Sequence, residues 1–394
     1  MSPYKPDQTA IRAVFMRGGA SKGIVFHADD LPQDQSLWDP IFLAAMGSPD
    51  PNQRQLDGMG GGQPAVSKVC IVGKSAHPDA DIDYRFGQVE IRAARVDYQG
   101  SCGSMASAIG PFAVDEGLVE APADGEAAVR IRDVNASKII VSRFVMRGGK
   151  AAVTGDLEVD GITGSGSPVK LEFLSPGGAA TGRLLPFADA VSTIDVDGFG
   201  RVDFSFVDAS NPLMFVEAAT VGLRGTEMPE EIEANPGLLA LIETIRRHVT
   251  VAAGAAPSLA AAAGVSLPRI AFVSAPADYD TLSGRHLSAG DTDILIRMIG
   301  RGRPHRAVPV TTALCLAVAC RLPGSIPYRL LGERAKAGST IVVGHPSGAW
   351  RLTAEVSREA DGWRAEMASL ETTQRRLFQG ELLVPSRYLG PRQT

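Results

Sequence analysis

Along most of the chain, short apolar segments alternate with polar residues and are bounded by glycine or proline, a period of two that predicts half-buried strands. IDYRFGQVEIRAARVDY (82–98), AAVTGDLEVDGI (151–162), GRVDFSFVDA (200–209), STIVVGHPSG (339–348) and AWRLTAEVSRE (349–359) all read this way. Helical spacing is rarer. It predicts helices in LWDPIFLAAMG (37–47), in PEEIEANPGLLALIETIRRHV (229–249), which carries acidic residues in its first turn, and in DTDILIRMIGR (291–301). The balance is an α+β chain with much antiparallel sheet. Its 394 residues are long for one core, so two domains are expected. The Gly- and Pro-rich SPGGAATGRLLP (175–186) is the best boundary, which gives domains 1–185 and 186–394. An internal echo points the same way: in each half a strand region leads through a polar, glycine-containing turn into a small-residue, apolar helical segment, MASAIGPFAVDEGL (105–118) and then AVPVTTALCLAVAC (307–320).

Composition narrows the partners. Hydrophobic residues make up 44% and charged residues 21%, as in ordinary globular proteins, and the net charge of −5 argues against nucleic acid or an anionic membrane. An anionic ligand would therefore need a local basic pocket. The apolar stretches 251–265 and 307–320 are too short to span a bilayer, and MSPYKPDQTAIRAVF lacks a signal-peptide pattern, so the expected location is the cytoplasm. Cys70, Cys102, Cys315 and Cys320 have no metal-type spacing, and the six histidines form no HxH or HxxxH pair, so no metal is expected.

Four stretches carry candidate chemistry. Cys102 lies in GSCGS (100–104), among residues that offer no apolar packing, ahead of a segment able to start a helix. Helix-start N–H groups favour a thiolate and receive anions, whereas Cys315, Cys320 and Cys70 sit in apolar runs and read as core. Lys68, in SKVCIV (67–72) after a glycine cluster, can be read either as a desolvated general base or as an edge-strand lysine that discourages aggregation. MRGGASKG (16–23) fails as a phosphate loop because Lys22 precedes Gly23 and Ile24, and GMGGGQ (58–63) fails as a dinucleotide fingerprint because Gln63 stands where a glycine is needed. Arg17, Ser21 and Lys22 instead suit a carboxylate, or else form a charged solvent turn. His305 and Arg306 precede the second helical segment and His345 lies in the turn GHPSG; each alone reads more readily as structural than as an anion ligand.

Taken with MGSPDPNQRQLDGMGGG (46–62), DIDYRFGQV (81–89), GSCGSMASAIG (100–110), NPLMFV (211–216), LPRIAFVSAP (267–276) and VGHPSG (343–348), these motifs resemble the PrpF family of the diaminopimelate epimerase-like fold. That family includes isomerases of 2-methylaconitate and methylitaconate and tautomerases of 4-oxalomesaconate. The resemblance implies two similar domains, each a curved, mostly antiparallel sheet around a central helix, with the active site in the cleft between them and the last strand returning to the first domain. It implies no cofactor, catalytic roles for Lys68 and Cys102, and a small polycarboxylate substrate. The candidates for substrate binding are Arg17, Ser21, Lys22, Gly60, Gly61, Ser101, Gly103, Ser104, His305, Arg306, Thr311, Thr312, His345 and Ser347. A homodimer is a further expectation. One departure stands out: the family pattern Gly-Asn-Cys-Gly-Asn has serine at both asparagine positions here, Ser101 and Ser104. The position of a second epimerase cysteine falls near Thr311 and Thr312, which disfavours a two-thiol racemase. A racemase or epimerase using Cys102 and a non-catalytic protein of the same fold remain as alternatives.

Overall fold

One pattern of strand pairing builds the chain twice. The computed structural model describes residues 7–389 apart from 99, 179, 266, 301 and 361. It divides into two units. The first holds residues up to Leu171 together with Glu371 onward, and the second holds Glu172–Leu370.

In the first unit, strand Gln8–Gly18 forms a hairpin with Ser21–His27, which pairs in parallel with Lys68–Lys74. That strand pairs antiparallel with Ile82–Val89, Ile82–Val89 pairs in parallel with Gly125–Asp133, and Gly125–Asp133 pairs antiparallel with Lys138–Arg147. The two parallel steps are the ones bridged by helices, because parallel neighbours need a crossover connection. Helix Trp38–Met46 bridges the first and covers one face of the sheet, packing Ile41, Phe42 and Met46 against Phe15, Ile24, Phe26 and Ile71. Helix Gly103–Asp115 bridges the second. It is apolar all round, with Met105, Ile109 and Phe112 buried, and it touches the first hairpin and five further strands, so the sheet wraps around it. Gly110 permits the closest approach: a Cβ there would stand 2.6 Å from Ser142 Oγ.

The second unit repeats the sequence of steps. Gly200–Ala209 and Asn211–Glu217 form the hairpin, followed by Arg269–Ser274 in parallel, Ile294–Gly300 antiparallel, Thr340–His345 in parallel and Gly348–Glu359 antiparallel. Helix Pro236–Ala252 bridges the first parallel step and packs Ile242, Ile245 and Val249 on Phe204, Val216 and Phe272. Helix Val310–Ala319 bridges the second and is nearly all buried. Strand Gly362–Pro385 pairs with Gly348–Glu359 up to Leu370 and with Gln8–Gly18 from Gln374.

Several local expectations differ from this structure. DTDILIRMIGR is a strand over Ile294–Gly300, because ILIRMIG is buried along its whole length but for its last residue and lies between two strand partners. The run 229–249 breaks into Pro229–Glu233 and Pro236–Ala252, where Asn235 caps the second helix and Pro236 supplies its first residue. AAVTGDLEVDGI contributes only Lys150–Ala151 and Leu157–Glu158, and 82–98 pauses between Val89 and Val96. Residues 175–186 lie inside the second unit, where the Asp208 carboxylate accepts from Ala180 N, Thr181 N and Thr181 Oγ1. Fixed in this way, the stretch is no linker, and the division falls at Leu171 instead.

Candidate active site

Lys68 opens its strand with its side chain folded inward. Only 7% of the residue is exposed, its Nζ donates to Gln88 Oε1 at 2.7 Å, and the same nitrogen stands 4.9 Å from the centre of the Phe86 ring. Gln88 lies directly opposite Lys68 on the neighbouring strand. Gly23 flanks the other side, and a Cβ there would come within 2.4 Å of the Lys68 carbonyl, so only glycine admits this strand spacing. The preceding Ser67 is buried. Its hydroxyl donates to Val89 O and accepts from Gln55 Nε2, and Gln55 Oε1 in turn accepts from Gly62 N. Gly60 and Gly61 serve this anchorage: their Cβ atoms would lie 2.3 Å from the Gln55 amide and 2.6 Å from Val66. The glycine cluster is thus a loop pressed against one buried amide, immediately upstream of the lysine.

Cys102 is the N-cap of helix Gly103–Asp115. Its backbone is extended and its side chain makes no capping bond to the helix-start N–H groups. The residue is half-buried. Its carbonyl accepts from Ala106 N at 3.0 Å and from the Tyr84 hydroxyl at 3.4 Å. Burial pushes the Cys70 thiol up; its sulfur stands 4.0 Å from the Tyr84 hydroxyl that also reaches the Cys102 carbonyl, and Lys68 lies two residues before Cys70 on the same strand. Ser101 points elsewhere: its hydroxyl donates to Asp133, a 1%-exposed carboxyl whose affinity for a proton is raised by burial against the opposing pull of Ser101, Ala136 N and Asn135 N. The Asn135 side chain then joins strand and loop, accepting from Phe86 N and donating to Phe86 O and Tyr98 O. Residue-by-residue reading of the sequence missed Gln88, Tyr84, Asp133 and Asn135. Only Asp133 left a local signal, an acid at a core position of the alternating run AVRIRD.

The first hairpin meets the start of the same helix. A Cβ on Gly18 would lie 2.6 Å from Ser104 O, and Gly19, at φ +51°, is 3.3 Å from the Ser104 Cβ by the same measure. MRGGASKG and GSCGS are therefore neighbours. In this hairpin Arg17 pairs with Lys22 on the face that also carries Phe15 and Ile24, whereas Ser21 and Gly23 share the face of Lys68. Arg17 Nη1 donates to Gly19 O and Thr373 O, and burial beside Arg375 lowers its proton affinity. Exposed Lys22 lies over the Phe15 ring. Arg17 thus clasps the hairpin, and Lys22 covers its outer face.

In the second unit, hydrogen bonding at the corresponding helix start joins Asn211 Nδ2 to Thr311 Oγ1 at 2.8 Å, as hairpin contacts Ser104 in the first unit. The N-cap that corresponds to Cys102 is Pro309. Thr312 is buried and its hydroxyl faces Met298 Sδ, and His345 is fully buried, pushed down to about 3 by burial and then by Arg297 and Arg285. Both side chains lie in the core. Ser347 donates to Arg306 O, and exposed Arg306 pairs with Glu230 at 2.5 Å. His305 lies against Gly300, its proton affinity lowered by burial and by Arg269. Among the described residues no cluster of His, Cys, Asp and Glu could hold a metal ion, and no helix is long and apolar enough to cross a membrane.

The family model of the PrpF protein matches residues 8–385. The chain belongs to the PrpF family. This PrpF-family chain is 40% identical to the 3-methylitaconate isomerase of Eubacterium barkeri over 96% of its own length and 98% of that protein. It is 35% identical to the 2-methyl-aconitate isomerase of Shewanella oneidensis, with the same coverage of 96% and 98%. A crystal structure of methylitaconate-delta-isomerase superposes with a TM-score of 0.88 at 37% identity, covering 98% of this chain and 99% of that one. A hydroxyproline epimerase from Agrobacterium vitis shares only the fold, at a TM-score of 0.51 and 12% identity over 96% of this chain and 93% of that one. The PrpF-family chain is an isomerase with a diaminopimelate epimerase-like fold.

Proposed function

We propose that this isomerase moves a C=C bond by one position in an unsaturated di- or tricarboxylic acid, without a cofactor, by proton transfer through Lys68 and Cys102. Lys68, as the free amine, removes a proton from the carbon next to the double bond. The electron pair left behind delocalises into a dienolate, and its charge spreads onto a substrate carboxylate held by the N–H groups of Gly103 and Ser104. The proton returns two carbons away, from the lysine or from the Cys102 thiol, and the donor is restored, so no atom is gained or lost. Ser21 and the helix start supply polar contacts on the lysine's side of the sheet. Gly60 and Gly61 shape the loop beside it, and Ser101, bonded to Asp133, fixes the backbone approaching the thiol. His305, Arg306, Thr311 and Ser347 are proposed to bind carboxylate groups, and the enzyme to act as a cytoplasmic homodimer.

The observation that carries this reading is an asymmetry within the repeated pattern. The helix cap that presents a thiol in the first unit is Pro309 in the second, so the pairing of one lysine with one thiol is favoured over two facing thiols. The test is incubation with 2-methylaconitate, 3-methylitaconate or 4-oxalomesaconate in D₂O. Ultraviolet absorbance should change as conjugation moves, and NMR should show the shifted double bond. Lys68→Met should lower turnover by about 10² to 10⁴, the usual scale for losing a general base. Deuterium entering one saturated stereocentre of an amino or hydroxy acid, with no bond shift in any polycarboxylate, would replace this reading with the racemase.

A further inference from the structure

Among the described residues, the hydrogen-bond partner of the Lys68 amine is an amide, and no carboxylate pairs with it. A lysine that must give and take a proton needs direction without a fixed counter-charge. Four rotatable bonds separate Nζ from the strand, and a carboxylate acceptor would favour the ammonium. Gln88 offers direction alone. Its Nε2 donates to Ser67 O at 2.8 Å and to Pro64 O at 3.2 Å, so both of its N–H groups have carbonyl partners and its oxygen has to face Lys68. Ser67, which holds that amide, is itself fixed by Gln55 and Val89.

We propose that Gln88 is the positioning residue of this site, a neutral acceptor that takes one N–H of Lys68 in both of its protonation states and leaves another tetrahedral position of Nζ aimed at the substrate. The Phe86 ring closes a further side of the nitrogen. The inference rests on the reading of Lys68 as the base and deepens it. Gln88 acts through the lysine and touches no reacting atom.

The experiment uses the full-length enzyme and the polycarboxylate that the bond-shift assay identifies. Gln88→Leu removes the acceptor at similar volume. Its kcat should fall by about 10- to 100-fold, the scale of a misaimed group, with KM little changed. With substrate deuterated at the carbon that loses its proton, the primary isotope effect on kcat should rise, because a badly aimed base makes proton transfer the slow step. Gln88→Glu keeps an acceptor but adds charge, so its activity should begin at higher pH than that of the parent. It decides the matter if the leucine variant fails to fold. Lys68→Ala, measured alongside, separates the two ideas. Wild-type turnover in Lys68→Ala removes the base reading itself. An inactive Lys68→Ala together with folded Gln88 variants of unchanged kcat, isotope effect and pH profile overturns the role of Gln88 alone.

Discussion

Single residues around Cys102 do work that their identities only partly announce. Ser101 reads from the sequence as a ligand contact, yet its hydroxyl is bonded to the buried Asp133, and that carboxyl also collects Asn135 N and Ala136 N. Burial raises the proton affinity of Asp133, so the folded state holds its proton to higher pH than the unfolded chain does. Its contribution to stability is therefore greatest below about pH 4, where both states are protonated, and is lost as pH rises through the folded-state titration. Asp133→Asn keeps an oxygen for the two backbone N–H groups and turns an amide N–H toward Ser101. The variant should gain stability on the wild type as pH rises from 4 to 7, measured as the difference in denaturant midpoint. A difference that stays level across that range would mean that Asp133 titrates alike in both states. Cys102 stands out in the sequence because glycine and serine surround it, and Lys68 because it is a charge between a glycine cluster and an apolar strand, whereas Gln88 is inconspicuous in an alternating strand and is noticed only through the residue paired with it.

At the level of elements, the site is a meeting of a strand head, a helix start and a hairpin tip, and glycine sets their separations. Gly18 abuts Ser104 and Gly23 abuts Lys68 with no room for a methyl group. Both neighbouring atoms belong to backbone that cannot rotate away. Gly23→Ala should therefore destabilise by about 1–3 kcal/mol, the cost of overpacking a close contact, and should reduce turnover more than it weakens substrate binding because it moves the lysine's strand. Thermal unfolding and steady-state kinetics on one preparation would check both. An alanine variant with normal melting and normal kcat would show that the strands can part without disturbing the site. The Cys102 helix is legible in the sequence as a small-residue segment, since apolar residues all round predict burial. Strand Ile294–Gly300 is less legible: a short, buried apolar run looks alike as helix or strand until its partners are known.

Across the whole molecule, the repeated order of pairings gives each unit an outer helix over one sheet face and a buried helix within the other, with different chemistry at corresponding points. Lys68 heads its strand in the first unit and Arg269 heads the equivalent strand in the second, and Cys102 corresponds to Pro309. The second unit also carries a buried titration. His345 is neutral in the fold, pushed down to about 3, whereas in the unfolded chain it takes a proton near pH 6.5. Stability should then fall as pH drops from about 6.5 toward 3, by up to about 1.4 kcal/mol per pH unit from this residue. His345→Asn, which keeps an acceptor for Ser347 N, should flatten that slope. An unchanged slope in the variant would assign the acid sensitivity to other groups. By itself the sequence determined the α+β class, the doubling, the family, and the lysine and thiol of the proposed chemistry, because periodicity, local composition and motif spacing are properties of contiguous residues. Only the tertiary structure decided that Arg17 clasps a hairpin, that Thr312 and His345 are core, and that Gln88 pairs with Lys68 and Asp133 with Ser101. Those roles depend on which face of a strand a side chain occupies and on what lies across from it, and the partner across is set by pairing residues far apart in the chain.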